Sequence, residues 1–478
     1  MQLSSLLGHT AELFRIINKS HQPPATITKD YLKAKKYLGS NDRKFISETL
    51  FTILRLKSLP EYCIASDETV NFISSLMIDE TQKSTLSDIL LIVFGIIAAD
   101  LLNIPIPPIK KLIPTDDNFP NMTSIALNQR FGIETNAIHH YLTMITANCN
   151  SLLLQAENIE FSSGISNDDA QIAAIRYAQQ EWVINSLINS DKYSSDDLKE
   201  LFNSLLHPAT LTLRINTPPS EHTKILNECK QFDTQARLTQ FSPFGIHLGK
   251  RIDMNSLSLY KRGIIEVQDE GSQLITIALN PQEDEHILDA CAGAGGKTLH
   301  IASLTNNKSR IIASDIELIK LKELNKRSRR AGSPNIQTFL PKHISKSTIN
   351  QFDRVLIDAP CSGMGTVRRN PMLKWQLTPK LLEKYNAKQY RILEQYADYV
   401  ASDGVLLYST CSILPQENEK IIAKFLKNHR DFSPLALKPA FDNYNIELPG
   451  LKDDDFQYQL LPSLIGSDGF YFAKLIRE

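Results

Sequence analysis

Two cysteines occupy matching places in the chain. Cys361 lies in Asp358-Ala359-Pro360-Cys361-Ser362-Gly363, and Cys411 in Tyr408-Ser409-Thr410-Cys411-Ser412. Each follows an apolar run that reads as a strand, Arg354–Ile357 and Val405–Tyr408. In open α/β sheets ligands bind outside the carboxyl ends of strands, so both thiols point to one cleft. A lone buried cysteine is usually inert packing. Two at strand ends beside a glycine-rich loop reverse that reading. A thiolate is required where an electron-poor ring must be attacked. Carbon 5 of cytosine is not nucleophilic until a thiolate adds to carbon 6, after which it can take a methyl group from a sulfonium. A carboxyl group must hold the base edge, and Asp358 is placed for this.

The strongest local signal is Ile287-Leu288-Asp289-Ala290-Cys291-Ala292-Gly293-Ala294-Gly295-Gly296-Lys297-Thr298. A strand runs into a glycine turn and then a helix. Backbone N–H groups at such a helix start can hold an anion or carboxylate, and glycines permit close approach. Gly296-Lys297-Thr298 echoes a P-loop, but Cys291 stands where that motif needs glycine. A dinucleotide fingerprint fails at Thr298, where a third glycine or alanine is required. The third candidate ligand is S-adenosylmethionine, with Cys291 to Lys297 over its methionine end, and the alternative is a tight βα turn with a capping Asp that holds no ligand. Asp315, closing Ile311-Ile312-Ala313-Ser314-Asp315, is then the acid for the ribose hydroxyls.

These residues need a sheet to hold them. Strand candidates Ile287–Ala290, Arg310–Ser314, Ile336–Phe339, Arg354–Ile357 and Val405–Tyr408 alternate with helical stretches such as Glu317–Arg330 and Leu382–Val400. That alternation predicts a doubly wound parallel sheet over 266–478, ending in a strand at Gly469–Leu475. Residues 1–160 show helical periodicity only, interrupted at Pro23-Pro24, Pro60 and Pro105-Ile106-Pro107-Pro108. Residues 161–265 read as a small α+β module, with helices around Arg176–Ile188 and Asp196–Leu206 before a strand at Leu211–Ile215.

Composition agrees with a multidomain globular protein. The 478 residues exceed one ordinary core. Hydrophobic residues are 42% and charged residues 22%, which excludes a disordered or fibrous chain. Lys+Arg is 52 against Asp+Glu 53, so the chain is no polybasic binder as a whole. Six scattered cysteines without a CxxC pair argue for a reducing compartment and against bound metal. The apolar stretch from Ile89 to Leu102 is interrupted by Asp100 and reads as a core helix. A cytoplasmic monomer with no membrane association and no signal peptide is expected.

At these motifs the sequence resembles the RNA cytosine-C5 methyltransferases, most closely the bacterial Fmu/Sun type, the B-type 16S rRNA methyltransferases. The resemblance rests on Val267 to Leu274, Asp289 to Thr298, Asp358 to Gly363, Arg368-Arg369-Asn370-Pro371 with Lys374-Trp375, Tyr408 to Ser412 with Glu417-Asn418, and Asp468 to Ala473. Upstream, Asn41-Asp42-Arg43-Lys44-Phe45 with Leu54-Arg55 resembles a NusB-like helical domain. Leu213-Arg214-Ile215-Asn216 is similar to the strand of the family's intermediate RNA-binding module. The resemblance implies a Rossmann-like class I methyltransferase domain behind a NusB-like domain and a small α+β module, acting on 16S ribosomal RNA. It implies that Cys411 attacks, that Cys361 helps release the product, and that Lys297 and Asp358 belong to the site. Cofactor contacts are expected from Cys291, Ala292, Gly293, Ala294, Gly295, Gly296, Lys297, Asp315 and Asp358.

Two departures stand out. Gly293-Ala294 replaces the family's Ala-Pro, and Phe339-Leu340-Pro341-Lys342 replaces a Gly-Asp pair expected near the adenine. The second motivates an alternative, a non-catalytic RNA-binding or ribosome-assembly protein on a methyltransferase fold. The intact thiols oppose it, and the two upstream domains oppose a small-molecule methyltransferase. RNA phosphates need basic groups. Lys33, Lys35, Lys36, Arg43, Lys44, Arg55 and Lys57 form one cluster, and Lys320, Lys322, Lys326, Arg327, Arg329 and Arg330 another. Arg368-Arg369 is expected to touch RNA directly.

Overall fold

The computed structural model describes residues 1–20, 22–105, 119–344 and 348–478. Ile106, Pro107 and Pro108 of the third proline break lie outside these residues. The chain divides into two compact units, 1–208 with 367–376, and 209–366 with 377–478.

The first unit is helical. Helices Asp67–Ser75, Glu80–Leu101, Asn167–Arg176 and Ser195–Leu206 begin where a polar side chain satisfies a free N–H group. Asp79 accepts from Gln82 N at 2.8 Å while Gln82 Oε1 accepts from Asp79 N at 3.2 Å, opening Glu80–Leu101. That helix begins before Ile89, because its first turns are polar and mask its length. By length and composition it could cross a membrane. Here Leu86, Leu90, Val93 and Phe94 are buried in the unit's core, beside Leu50, Ile53 and Leu54 of Ser40–Leu56. Each such burial is worth roughly 1.5–3 kcal/mol. A Cβ on Gly95 would meet Ile53 Cγ1 at 2.5 Å, so glycine lets the two helices close up.

The boundary expected at 160 falls instead at Pro208. Helices Asn167–Arg176, Glu181–Ile188 and Ser195–Leu206 pack with the first unit. The helix expected at Arg176–Ile188 starts only at Glu181; Arg176 instead ends the preceding helix Asn167–Arg176, and Ala178 between the two has φ +47°. Ala178, Leu206 and Met372 share one core with Leu54, and Ser58 Oγ donates to Ile175 O at 3.0 Å. Segment 367–376 closes the end of Ser40–Leu56. Lys374 Nζ donates to Arg55 O at 2.8 Å and Trp375 Nε1 to Leu54 O at 2.8 Å, satisfying carbonyls that a helix end leaves open. Arg55 Nε returns a bond to Arg368 O at 3.1 Å.

The second unit contains two sheets. The smaller is antiparallel, in the order β2-β3-β1-β4, with β1 Leu211–Ile215, β2 Arg237–Leu238, β3 Gly245–Leu248 and β4 Ile265–Val267. The boundary expected at 265 therefore cuts into its last strand. Leu213, Ile215, Ile246 and Ile265 build its core.

The larger sheet comprises β5 His286–Asp289, β6 Arg310–Ser314, β7 Ile336–Phe339, β8 Phe352–Asp358, β9 Val400–Thr410, β10 Phe432–Pro434, β11 Gln457–Leu460 and β12 Phe470–Arg477. Its order is β10-β12-β9-β8-β5-β6-β7, with β11 paired to β12. Strands β5 to β9 pair in parallel, and β12 runs antiparallel to β9. Leu288, Val355, Leu356, Leu406 and Leu407 are fully buried, as strands covered on both faces require. The strand order reverses around β5 and β8, which opens a crevice at their carboxyl ends. All the expected parallel strands are present, and the fold is the expected doubly wound, Rossmann-like α/β domain.

Candidate functional site

Four strand ends meet at that crevice. After β5 the chain turns through Gly293 (φ +53°) and Gly295 (φ +85°) into helix Gly296–Leu304. These left-handed conformations favour glycine, and a Cβ on Gly295 would also meet Leu324 Cγ at 2.5 Å. A Cβ on Gly293 or Gly296 would meet nothing within 4 Å, so the loop's backbone faces open space. Asp315, just past β6, holds this shape. Its Oδ2 accepts from Gly293 N at 2.9 Å and its Oδ1 from Glu317 N at 2.8 Å. Ala292 N donates to Ser314 O at 2.8 Å, and Arg327 donates to Ala294 O at 2.7 Å.

Behind the loop, Thr298 Oγ1 donates to Asp289 Oδ2 at 2.7 Å. Burial pushes the Asp289 carboxyl up to about 7 and raises the Cys291 thiol as well. Arg214 of β1 is fully buried and donates to Gly296 O at 2.6 Å, tying the small sheet to the loop. Burial pushes its guanidinium down to about 9.

Lys297 on the first turn of the helix donates to Asp358 Oδ2 at 2.7 Å, and Ser409 Oγ donates to Asp358 Oδ1 at 3.1 Å. Asp358 and Ser409 are register partners at the ends of β8 and β9. Just beyond them, Cys361 Sγ and Cys411 Sγ lie 3.2 Å apart, both partly exposed. The bond to Cys411 and burial push the Cys361 thiol well up. Gly365 N donates to Cys411 O at 2.9 Å and Gly469 N to Gly365 O at 2.8 Å, so β12 braces the same loops.

Several basic side chains expected on RNA are spent inside the protein. Arg368, 7% exposed, donates to His207 O and Pro208 O. Arg55 is buried on Arg368 O, and Arg43 donates to Leu38 O at 2.9 Å and Lys35 O at 3.1 Å. Arg327 and Arg330 both bond Glu266, itself 1% exposed. A guanidinium fork suits converging carbonyls and carboxylates as well as phosphates. Lys33, Lys36, Lys44, Lys322 and Arg329 are exposed. Sequence reasoning assigns no role to Glu417, Ser362, Ser412, Gln389 or the exposed Ile316 beside Asp315. The repeated Cys-Ser pair is the one signal that could have drawn attention to the serines.

The family described as 16S rRNA methyltransferase RsmB/F matches residues 276–476. The chain is 30% identical over 329 residues to the probable ribosomal RNA small subunit methyltransferase B of Bacillus subtilis (strain 168), covering 68% of this chain and 72% of that protein. The chain belongs to this family. Ribosomal RNA small subunit methyltransferase B of Pasteurella multocida (strain Pm70) is 30% identical over 305 residues, covering 62% of this chain and 64% of that protein. A crystal structure of a methyltransferase homolog protein from Pyrococcus horikoshii superposes with TM-score 0.54 at 25% identity, over 66% of this chain and all of that one.

Membership of the RsmB/F family makes the chain an S-adenosylmethionine-dependent rRNA methyltransferase. The open glycine cradle, with Asp315 at its rim and the exposed apolar Ile316 next to it, fits that cofactor. After β7 the chain enters the turn Pro341–His343, which carries no carboxylate. Asp315→Ala is expected to weaken S-adenosylmethionine binding by roughly 10- to 150-fold, the equivalent of about 1.5–3 kcal/mol for a lost charge-assisted bond. Calorimetry giving wild-type affinity for that variant would contradict the assignment.

Proposed function

We propose that this enzyme methylates carbon 5 of a cytosine in 16S ribosomal RNA, in the cytoplasm and as a monomer. The supporting observation is the pair of thiols 3.2 Å apart at the ends of adjacent parallel strands, next to the Lys297–Asp358 pair. Cys411, as thiolate, adds to carbon 6 of the ring, and the displaced electron pair makes carbon 5 nucleophilic. Asp358, held by Lys297 and Ser409, orients the base edge. When bound, S-adenosylmethionine supplies an electrophilic methyl group, held over the loop from Cys291 to Lys297 and at Asp315. The proton on carbon 5 then passes to solvent water. Its C–H electron pair restores the ring double bond, and the Cys411 Sγ–carbon 6 bond breaks to give back the thiolate. Cys361 assists this release. A target inside a stem must first be turned out of the stack. The exposed lysines of the helical unit supply phosphate contacts.

The alternative of a non-catalytic RNA-binding protein finds support only in the missing acid after β7. RNA containing 5-fluorocytosine separates the two. Fluorine cannot leave carbon 5 as a proton does, so the conjugate with Cys411 should persist through denaturing electrophoresis. Absence of any conjugate, with RNA and cofactor both bound, would contradict the adduct mechanism.

A further inference from the structure

Every residue flanking the two thiols is gripped by a buried side chain. Glu417, with no exposed surface, accepts four hydrogen bonds. Its Oε1 takes Ser362 N at 2.8 Å and Gln389 Nε2 at 2.9 Å. Its Oε2 takes the hydroxyls of Ser362 and Ser412, each at 2.5 Å. Ser362 follows Cys361 and Ser412 follows Cys411, so one carboxylate clasps the residue after each thiol. Gln389 Nε2 also donates to Pro360 O at 3.1 Å, on the other side of Cys361. The neighbouring Asn418 does the same for Cys411, accepting from Thr410 Oγ1 at 2.6 Å and donating to Ser412 O at 3.0 Å. Tyr408 OH anchors the clasp itself through Glu417 O at 2.8 Å.

We infer that Glu417 is a positioning residue for the two-thiol centre, its carboxylate joining the loops after β8 and β9 so that Cys361 stays within reach of Cys411. The inference rests on the proposed division of labour between the thiols. A buried carboxylate has a large desolvation cost unless fully hydrogen-bonded, and here each donor comes from a residue next to a thiol or from Gln389, which also holds Pro360. Release of a covalent adduct needs the second thiol at a fixed distance, and misplacement by about 1 Å can cost on the order of 100-fold in rate. The Glu417 charge also opposes ionisation of Cys361, as does that of Cys411; Tyr385 and Tyr408 lie within electrostatic reach of the same thiol.

The test uses the full-length protein and diamide, without RNA or cofactor, so its outcome is independent of the methylation reading. Diamide takes up two protons and two electrons as two thiols become a disulfide. The rate of Cys361–Cys411 disulfide formation, mapped by mass spectrometry of peptides, therefore measures how well the thiols are held together. Glu417→Ala should slow it about 10-fold or more. Glu417→Gln should restore a rate near wild type, because the Ser362 and Ser412 hydroxyls can rotate to accept from the new amide. If Glu417→Ala does not fold, Ser412→Ala replaces it, removing one donor and giving a smaller slowing. In turnover, Glu417→Ala should lower kcat by about 10- to 100-fold and leave KM for S-adenosylmethionine unchanged. Wild-type disulfide rates in both alanine variants, or no rescue by glutamine, would overturn the inference.

Discussion

Cys411→Ala is expected to bind rRNA and S-adenosylmethionine, form no conjugate and lose methylation by on the order of 10³-fold or more, as removal of a nucleophile from a cooperating set does. Cys361→Ala should fail differently. It retains the thiol that attacks, so carbon 6 is still captured and carbon 5 still receives its methyl group. Release is then slow, and a protein–RNA conjugate accumulates and survives denaturing electrophoresis. The asymmetry follows from the assigned roles, while the geometry is nearly symmetric. Both sulfurs stand just past strand ends, 3.2 Å apart, each followed by a serine on Glu417. A conjugate in Cys411→Ala and none in Cys361→Ala would mean that the roles are exchanged.

A fragment ending at residue 208 should be markedly less stable than the helical unit in the intact chain. It lacks segment 367–376, and with it the donors to Leu54 O and Arg55 O and the buried side chain of Met372. Loss of these two bonds alone predicts roughly 1–3 kcal/mol. A shorter fragment ending near 160 also loses Ala178 and Leu206 from the same core and should not fold cooperatively. A synthetic peptide of residues 367–376 added to the 208-residue fragment should raise its thermal midpoint in a concentration-dependent way. Equal stability with and without the peptide, at the level of the intact protein, would refute this account of the helix end.

The larger sheet is readable because its signals are local. Each parallel strand is a short apolar run, and its chemistry sits in the loop that follows, so Asp315, Asp358, Cys361 and Cys411 can be assigned to one crevice from order alone. Length is less readable where polar residues interrupt a strand. β9 begins at Val400 and passes through Ser402, Asp403 and Gly404, with Asp403 at φ +60°, before the apolar run at Val405. Partners distant in sequence are not readable at all. Arg368 is as basic as an RNA contact must be, and only the fold shows its guanidinium spent on carbonyls 160 residues earlier. Segment 367–376 reads as part of the methyltransferase domain by position, yet packs as part of the helical unit. Glu417 belongs to a motif that carries the family resemblance, but nothing in the sequence gives it a role, which lies in four hydrogen bonds brought together by folding.

Nucleoside mass spectrometry locates the methyl group that the enzyme transfers. Unmodified 16S rRNA incubated with the purified protein and isotopically labelled S-adenosylmethionine should yield labelled 5-methylcytidine at one position. Cys411→Ala should yield none under the same conditions. Label recovered on a ribose hydroxyl, on an exocyclic amine or on another base, or labelled 5-methylcytidine formed equally well without Cys411, would contradict the account.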